Sequence, residues 1–299
     1  MTCEATTPRI SYIISTRNRA QYLDAALQNV RQFLTPQDEL IIIDGASTDE
    51  TREVAKKHSD IIDVFESGPD VGEAHGDNKG ILRSRGEIIK LLTDDDYFYP
   101  EAMKQAVSVM ESHPEIEALQ CGGVMYKVDP ATGEERFYTT FRKRPHDSSP
   151  PYVTMGLFMR RSLVARVGLL DTNSRFVDLE YHPRILQSGA TFRYLNVKLY
   201  RHTLRLHSGR YRFPERVLVE EVRFNLISEA ATPGGKSLLT LVQLALHVHQ
   251  RALGRLIIRI LAFVLPMPWR VWAVFKRAWG RIKPLEDQPS EAVWDGTLS

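Results

Sequence analysis

Three consecutive carboxylates, Asp94, Asp95 and Asp96, close the stretch that runs from Glu87 to Tyr97. Ahead of them Ile88, Ile89, Leu91 and Leu92 form a short apolar run broken only by Lys90, the pattern of a strand buried in a parallel sheet. In an open α/β sheet, ligands bind just beyond the carboxyl ends of the strands. Three adjacent acids there repel one another and lose hydration unless something cationic joins them. A hard divalent cation carrying a diphosphate meets that need. Magnesium-type ions take one or two protein carboxylates and fill their other positions with water and phosphate oxygens. The plain alternative is an acidic, solvated loop ahead of a helix that starts near Pro100.

The elements around these acids place them. A strand over 10–15 runs into the polar turn Thr16-Arg17-Asn18-Arg19, and Leu23, Ala26, Leu27, Val30 and Leu34 recur at helical spacing until Pro36. Residues 40–43 form a second apolar strand that also ends in an acid, Asp44. Thr48 or Asp49 then caps a helix over 50–57. A third strand at 61–65, a turn at 67–72 and a helix to about Arg85 lead to the strand before Asp94. This β-α-β-α-β-α-β alternation predicts a doubly wound parallel sheet, whose switch point brings Asp44 and Asp94–Asp96 to one crevice. Neither G-x-G-x-x-G nor G-x-x-x-x-G-K-[ST] occurs, so a bound nucleotide needs its phosphates neutralised by a metal instead.

The chain of 299 residues, 43% hydrophobic and 25% charged, suits one large domain with an appendage. Cys3 and Cys121 give neither a disulfide framework nor a metal-ligand spacing, and the N-terminus lacks a secretory pattern. Both point to a cytoplasmic location.

At this point the ordered series IISTRNR, IIIDGASTDET, ESGPDVGEAHGDNKGI and GEIIKLLTDDDYFYPEAM closely resembles glycosyltransferase family 2. The resemblance covers about residues 9–210. It implies a GT-A fold, a nucleotide-diphosphate sugar donor, Mn2+ or Mg2+, and transfer with inversion to a saccharide or lipid-linked acceptor. It implies that Thr16, Asp44 and Asp70 contact base and ribose, with Asn78 and Lys79 near the donor. Taken singly, Asp44-Gly45 and Asp70 are also good turn residues and Lys79 a solvated helix lysine. Many members read Asp-x-Asp-Asp where this chain has Thr93, so Asp95 and Asp96 are expected as the metal and diphosphate pair. Asp94 is then an outer-sphere or exposed acid beside the cofactor.

Further on, a helix over 100–113, a strand over 118–128 and a returning strand over 136–141 precede a charged, Pro-rich loop at 143–151, a candidate lid. An apolar segment at 153–159 and a helix over 160–167 lead to Gly168-Leu169-Leu170-Asp171. The family's acid then falls in Phe176-Val177-Asp178-Leu179-Glu180. An inverting transfer needs a carboxylate to take the acceptor proton, help worth about 10²–10⁴-fold. Asp178 is that base by resemblance, with Glu180 in reserve. Read locally, Asp178 caps a helix over 179–188. After a strand at 192–200, His207 is a candidate metal ligand, and Arg205 or Arg210 a phosphate partner.

The reading is thus an inverting, metal-dependent glycosyltransferase of surface polysaccharide or glycolipid synthesis, with no nucleic-acid partner. A nucleotidyltransferase is disfavoured by the missing Gly-rich loop. A catalytically degenerate, membrane-associated scaffold is kept open by Thr93 and Val177. The predicted layout is a GT-A domain over 1–215, a basic amphipathic helical region over 216–283 and a flexible tail over 284–299. Between Lys236 and Lys283 lie nine basic residues and no acidic one, so the rest of the chain is net acidic. Arg251, Arg255 and Arg259 share one helix face beside Leu256, Ile257, Ile260 and Leu261, and Trp269, Trp272, Phe275 and Trp279 follow. The arginines and prolines argue against a spanning helix. Basic amphipathic helices with Trp and Leu are the pattern of an interfacial anchor, on the cytoplasmic face of an anionic membrane.

Overall fold

Strands whose residues are apolar in succession must be covered on both faces, and the first strands are. The computed structural model describes residues 7–129, 132–142, 153–174, 177–205 and 294–299. Strand β1 is Ile10–Thr16, β2 Glu39–Asp44, β3 Val64–Ser67 and β4 Ile88–Leu92. Every residue of β2 and β4 is buried. Helix α1 (Ala20–Val30) follows β1, α2 (Thr51–Lys57) follows β2 and α3 (Glu73–Arg83) follows β3. These four strands pair in parallel in the order β3-β2-β1-β4, the predicted doubly wound half.

Beyond β4 the sheet becomes mixed. Strand β5 (Tyr97–Phe98), helix α4 (Pro100–Ser112), β6 (Ala118–Val128), β7 (Glu135–Phe141), β8 (Leu157–Arg160), α5 (Arg161–Val167), α6 (Val177–Gln187) and β9 (Phe192–Leu204) complete it. The order continues β4-β8-β6-β9-β5, with β7 paired to β6. β8 is antiparallel to both β4 and β6, whereas β6 and β9 run parallel. One face is covered by α1 and α4 through Leu23, Leu27, Met103 and Met110, and the other by α3, α5 and α6 through Ile81, Leu163, Tyr181 and Ile185. α3 presses close to β1: a Cβ on Gly80 would lie 2.2 Å from Ile13 Cγ2, and one on Gly76 2.7 Å from Ser15 Cβ.

Three expectations shift. The third strand starts at Val64, not 61, because residues 58–62 turn: His58 is buried with its ring 2.8 Å from Asp24, and Asp63 accepts the Leu40 N–H at 2.9 Å. β9 runs on to Leu204, four residues past its predicted end, which carries His202 toward the acids. The predicted flexible tail is corrected at its end. Gly296, Thr297 and Ser299 make backbone hydrogen bonds to Tyr194 and Asn196, extending the sheet beside β9. The described residues belong to one compact unit, Met1–Ser208 with Ala292–Ser299. The expected lid at 143–151 and the helical region at 216–283 lie outside the described residues, as do His207 and Arg210.

Candidate active site

The carboxyl ends of β1, β2 and β4 bring the predicted acids to one edge of the sheet. Thr16, the last residue of β1, donates its hydroxyl to Asp94 Oδ2 at 2.7 Å. Arg19, three residues on, places Nε 2.8 Å from Asp94 Oδ1 and pairs through Nη2 with Asp95. Arg205, just past β9, reaches Asp95 Oδ2 at 3.3 Å. Both guanidinium carbons sit over the ring of Tyr22, at 4.8 and 4.9 Å from its centroid. Asp96 accepts the Thr93 hydroxyl at 2.6 Å and meets His202 Nδ1 at 2.8 Å. The three acids therefore already have cationic neighbours within the chain: Arg19, Arg205 and His202.

One reading of this cluster is corrected. Asp94 is not exposed: it is buried, and burial pushes its carboxyl up to about 6 against the opposing pull of Arg19 and Thr16. Asp95 and Asp96, expected as the metal and diphosphate pair, differ in exposure. The Asp96 side chain is 0% exposed, enclosed between Thr93 and His202. Thr93, which replaces an acid of the usual pattern, is what holds it. Asp95 keeps 18% of its side-chain surface, and its Oδ1 accepts nothing from the described residues. Burial and the charge of Asp96 raise the Asp95 carboxyl, with Arg19 and Arg205 opposing. Burial alone would lower the His202 imidazole, but the charge and hydrogen bond of Asp96 raise it overall.

Among the described residues no three His, Cys, Asp or Glu side chains converge closely enough to hold a metal ion. The donor set still fits one: Asp95 offers a single partly open carboxylate oxygen. A hard divalent ion takes few protein ligands and completes its shell with phosphate oxygens and water.

At the other end of the crevice, Asp44 is buried, accepting the Ser47 N–H at 3.0 Å and the Ser67 hydroxyl at 2.5 Å. Asp70 lies against the β2 end. A Cβ on Gly45 would come within 2.4 Å of its Oδ2, so any larger residue there would displace the Asp70 carboxylate. Arg17 Nη1 is 4.0 Å from Asp70 Oδ1. The loops after β1 and β2 interlock: Asn18 N–H donates to Ser47 Oγ, and Thr48 N–H to Asn18 Oδ1, each at 2.8 Å. Asn18 and Ala46 both adopt left-handed φ, 53° and 59°. Such backbone is uncommon outside glycine and clusters at ligand sites.

Asn78 and Lys79, expected near the donor, both hydrogen-bond to backbone. The Asn78 amide donates to Leu170 O at 2.8 Å and accepts Leu170 N–H at 2.9 Å, so it clamps the Gly168–Asp171 segment onto α3. Lys79 Nζ donates to Pro69 O at 2.9 Å and Gly68 O at 3.4 Å, bracing the loop that carries Asp70.

Asp178 stands in the first turn of α6 and does not cap that helix from outside. Its Oδ1 accepts the Thr154 N–H at 2.5 Å and also the Thr154 hydroxyl. Its Oδ2 accepts no hydrogen bond from the described residues. Glu180, the reserve candidate, is instead paired with Arg184 and accepts the Asp171 N–H at 3.4 Å.

Two further acids that sequence reasoning missed, Glu73 and Asp77, stand on α3. Glu73 opens α3, still meeting solvent but ringed by protein. That enclosure, then the charges of Asp77, Asp178, Asp94 and Asp95, push its carboxyl up. Asp77, one helical turn on, is buried against the Ser15 hydroxyl at 2.7 Å, and burial pushes it up to about 7. Their i, i+4 spacing within the segment ESGPDVGEAHGDNKGI was the available signal for a shared helix face.

The chain belongs to glycosyl transferase family 2, whose pattern matches residues 11–168. An uncharacterized glycosyltransferase of Nostoc sp. is 29% identical over 133 residues, 43% of this chain and 39% of that protein. The putative teichuronic acid biosynthesis glycosyltransferase TuaG of Bacillus subtilis is 27% identical over 106 residues, 34% of this chain and 42% of its own length. The match thus spans about two-fifths of each of these relatives. In fold the chain is similar to TarS 1-349 of S. aureus, with a TM-score of 0.54 and 17% identity over 73% of this chain and 65% of that one. It is equally similar to the mannosyltransferase PcManGT of Pyrobaculum calidifontis in complex with GDP-Man and Mn2+. There the TM-score is 0.54 with 17% identity, over 93% of this chain and 89% of that one. At these identities the likeness is one of fold, the GT-A arrangement.

Proposed function

We propose that the chain is an inverting glycosyltransferase that moves a sugar from a nucleotide-diphosphate donor to an acceptor hydroxyl, in the synthesis of a surface polysaccharide or glycolipid. The observation that carries this reading is the Asp94–Asp96 cluster at the carboxyl end of β4, held by Thr16, Arg19, His202 and Arg205, together with an Asp178 anchored through one oxygen on Thr154. A donor laid along the sheet edge has its nucleoside at Asp44 and Asp70 and its diphosphate at Asp95, Arg19 and Arg205. Mn2+ or Mg2+ held by Asp95 would neutralise the diphosphate. The guanidiniums of Arg19 and Arg205 oppose charge growing on the leaving group, and such fixed electrostatic stabilisation is the main source of rate enhancement in many enzymes. Thr154 fixes Asp178 through Oδ1 and leaves Oδ2 to take the acceptor proton. With the leaving group on one side of the sugar and the base on the other, displacement inverts the anomeric centre. The relative named for teichuronic acid biosynthesis supports a cell-surface product.

Among the described residues no helix is long and apolar enough to cross a membrane. The basic, Trp-rich stretch from Lys236 to Lys283 supports peripheral docking on an anionic surface, where a lipid-linked acceptor would be met. The decisive experiment follows release of UDP or GDP from a panel of nucleotide sugars, UDP-GlcNAc and GDP-mannose included, with and without Mn2+. Nucleotide binding with no turnover by any donor and acceptor pair would leave a binding scaffold in place of an enzyme.

A further inference from the structure

Lys90 puts an amine where the sheet demands an aliphatic side chain, and burial pushes it down to about 7. It lies in the middle of β4 with 0% exposure, flanked in the sheet by β1 and β8. Its neighbours on the same face, Ile88 and Leu92, are ordinary core. Its ammonium lies between two phenyl rings, 5.3 Å from the centroid of Phe98 and 5.2 Å from that of Phe158. An unpaired charge at such a place is expensive, so what the ammonium touches matters. It donates to Leu91 O at 2.8 Å and to Met155 O at 2.6 Å.

The second contact crosses to the one-turn 3-10 helix Thr154–Gly156, immediately before β8. A second buried side chain holds the same turn: Gln120 Nε2 donates to Val153 O at 3.1 Å. Gln120 is packed so tightly there that a Cβ on Gly156 would meet its Nε2 at 2.1 Å. The carbonyls on either side of Thr154 are therefore both drawn into the core. This orients Thr154 itself, whose N–H and hydroxyl both donate to Asp178 Oδ1. A connected path runs from the Lys90 ammonium through the Met155 carbonyl and the Thr154 donors to Asp178.

We propose that Lys90 is a positioning residue for Asp178: its ammonium fixes the Thr154–Gly156 turn, and the turn fixes the rotamer of the base. The inference rests on the reading of Asp178 as the base. Lys90 touches neither donor nor acceptor. Its hydrogen-bonded path includes none of Asp44, Asp70 and Asp95, and of the acid cluster its charge meets only Asp96, so its main effect falls on the chemical step.

The test compares the full chain with Lys90→Met, which keeps an unbranched apolar side chain one atom shorter and removes its N–H donors, and with Asp178→Asn and the double variant. Turnover is followed with UDP-GlcNAc and GDP-mannose, affinity with UDP and GDP, and backbone hydrogen exchange over the whole chain. Displacing a catalytic group by about 1 Å can cost on the order of 10²-fold. Lys90→Met is expected to slow turnover about 10- to 100-fold, with nucleotide affinity within about twofold of the parent. Adding it to Asp178→Asn should cost nothing further, since the base it positions is already gone. Exchange should quicken at 153–157 while the strands Ile10–Thr16 and Glu39–Asp44 stay protected.

The inference is overturned if the two losses multiply, if nucleotide affinity falls along with turnover, or if exchange rises evenly through the sheet. Where Lys90→Met does not fold, Lys90→Gln retains an N–H on a side chain one atom shorter. Turnover must then fall in step with loosening at 153–157, and a loosened turn with parent-like turnover overturns the idea. Parent-like values of both overturn it as well, since the turn then holds without the ammonium. If Asp178→Asn itself turns over like the parent, the base assignment is what fails. The exchange measurement, which needs no substrate, still decides whether Lys90 holds the turn.

Discussion

On the proposed reading of Asp178 as the base, replacing it by asparagine separates positioning from proton transfer, because the two oxygens of the carboxylate would have different tasks. Oδ1 accepts both donors of Thr154. In Asp178→Asn the amide oxygen can take that place, so the side chain retains its rotamer. The other position then carries an NH2 in place of a lone pair and cannot accept a proton. The full contribution of the base is lost while its geometry stays. General-base help of about 10²–10⁴-fold corresponds to about 2.7–5.4 kcal/mol at 1.36 kcal/mol per decade.

We expect kcat to fall by about 10³-fold, within that range, with UDP or GDP affinity unchanged, since none of the Asp178 contacts involves Asp44, Asp70 or Asp95. Stability should not suffer. Asp178 is one of the charges that push Glu73 up, so removing it relieves repulsion, and Tm should hold or rise. The assay is nucleoside-diphosphate release under saturating donor and acceptor, with calorimetric titration of UDP and GDP alongside. Parent-like kcat, or a loss of nucleotide affinity at constant kcat, would refute the assignment.

Asp95→Asn should weaken Mn2+-dependent binding of UDP or GDP at least tenfold and leave metal-free binding nearly unchanged; calorimetry with and without Mn2+ reads this directly. The raised Asp94 and Asp77 carboxyls make the metal-free protein less stable at higher pH. Their extra stability is present below the unfolded carboxylate range near pH 4 and is lost as pH climbs through about 6 and about 7. Between pH 5 and 8 these two acids pull Tm down, against the opposing rise from His182, which burial pushes down to about 4, and a profile unchanged by Asp77→Asn would contradict the burial of Asp77. Asn78→Ala should cost about 1–3 kcal/mol in urea unfolding, because it leaves Leu170 N–H and C=O without their partners. The full chain should sediment with anionic liposomes and be released by high salt. Replacing Arg251, Arg255 and Arg259 by glutamine should weaken this by about 100-fold, at about 1 kcal/mol for each basic residue, while unaltered sedimentation would exclude the basic face as the anchor.

The parallel half of the fold and the acid-bearing ends of its strands were legible in the sequence, because local pattern settles them. An apolar run such as Ile41–Ile42–Ile43 can be covered only as a strand between layers, and the acid after it falls at the carboxyl edge whatever lies elsewhere. Which carboxylate oxygen is open depended on partners distant in sequence. Asp96 is enclosed by His202, more than a hundred residues away, and Asp95 is shared by Arg19 and Arg205 from opposite ends of the catalytic unit. Asn78 shows the same limit: its place in a family segment suggested a ligand, and only the approach of Leu170 turned its amide to the backbone. Lys90 read as an interruption of a strand until the chain brought Met155 to it. Residue type and spacing determine which groups can do chemistry. Tertiary structure decides which of their lone pairs and protons remain free for it, because each contact that holds a side chain in place also occupies one of its atoms.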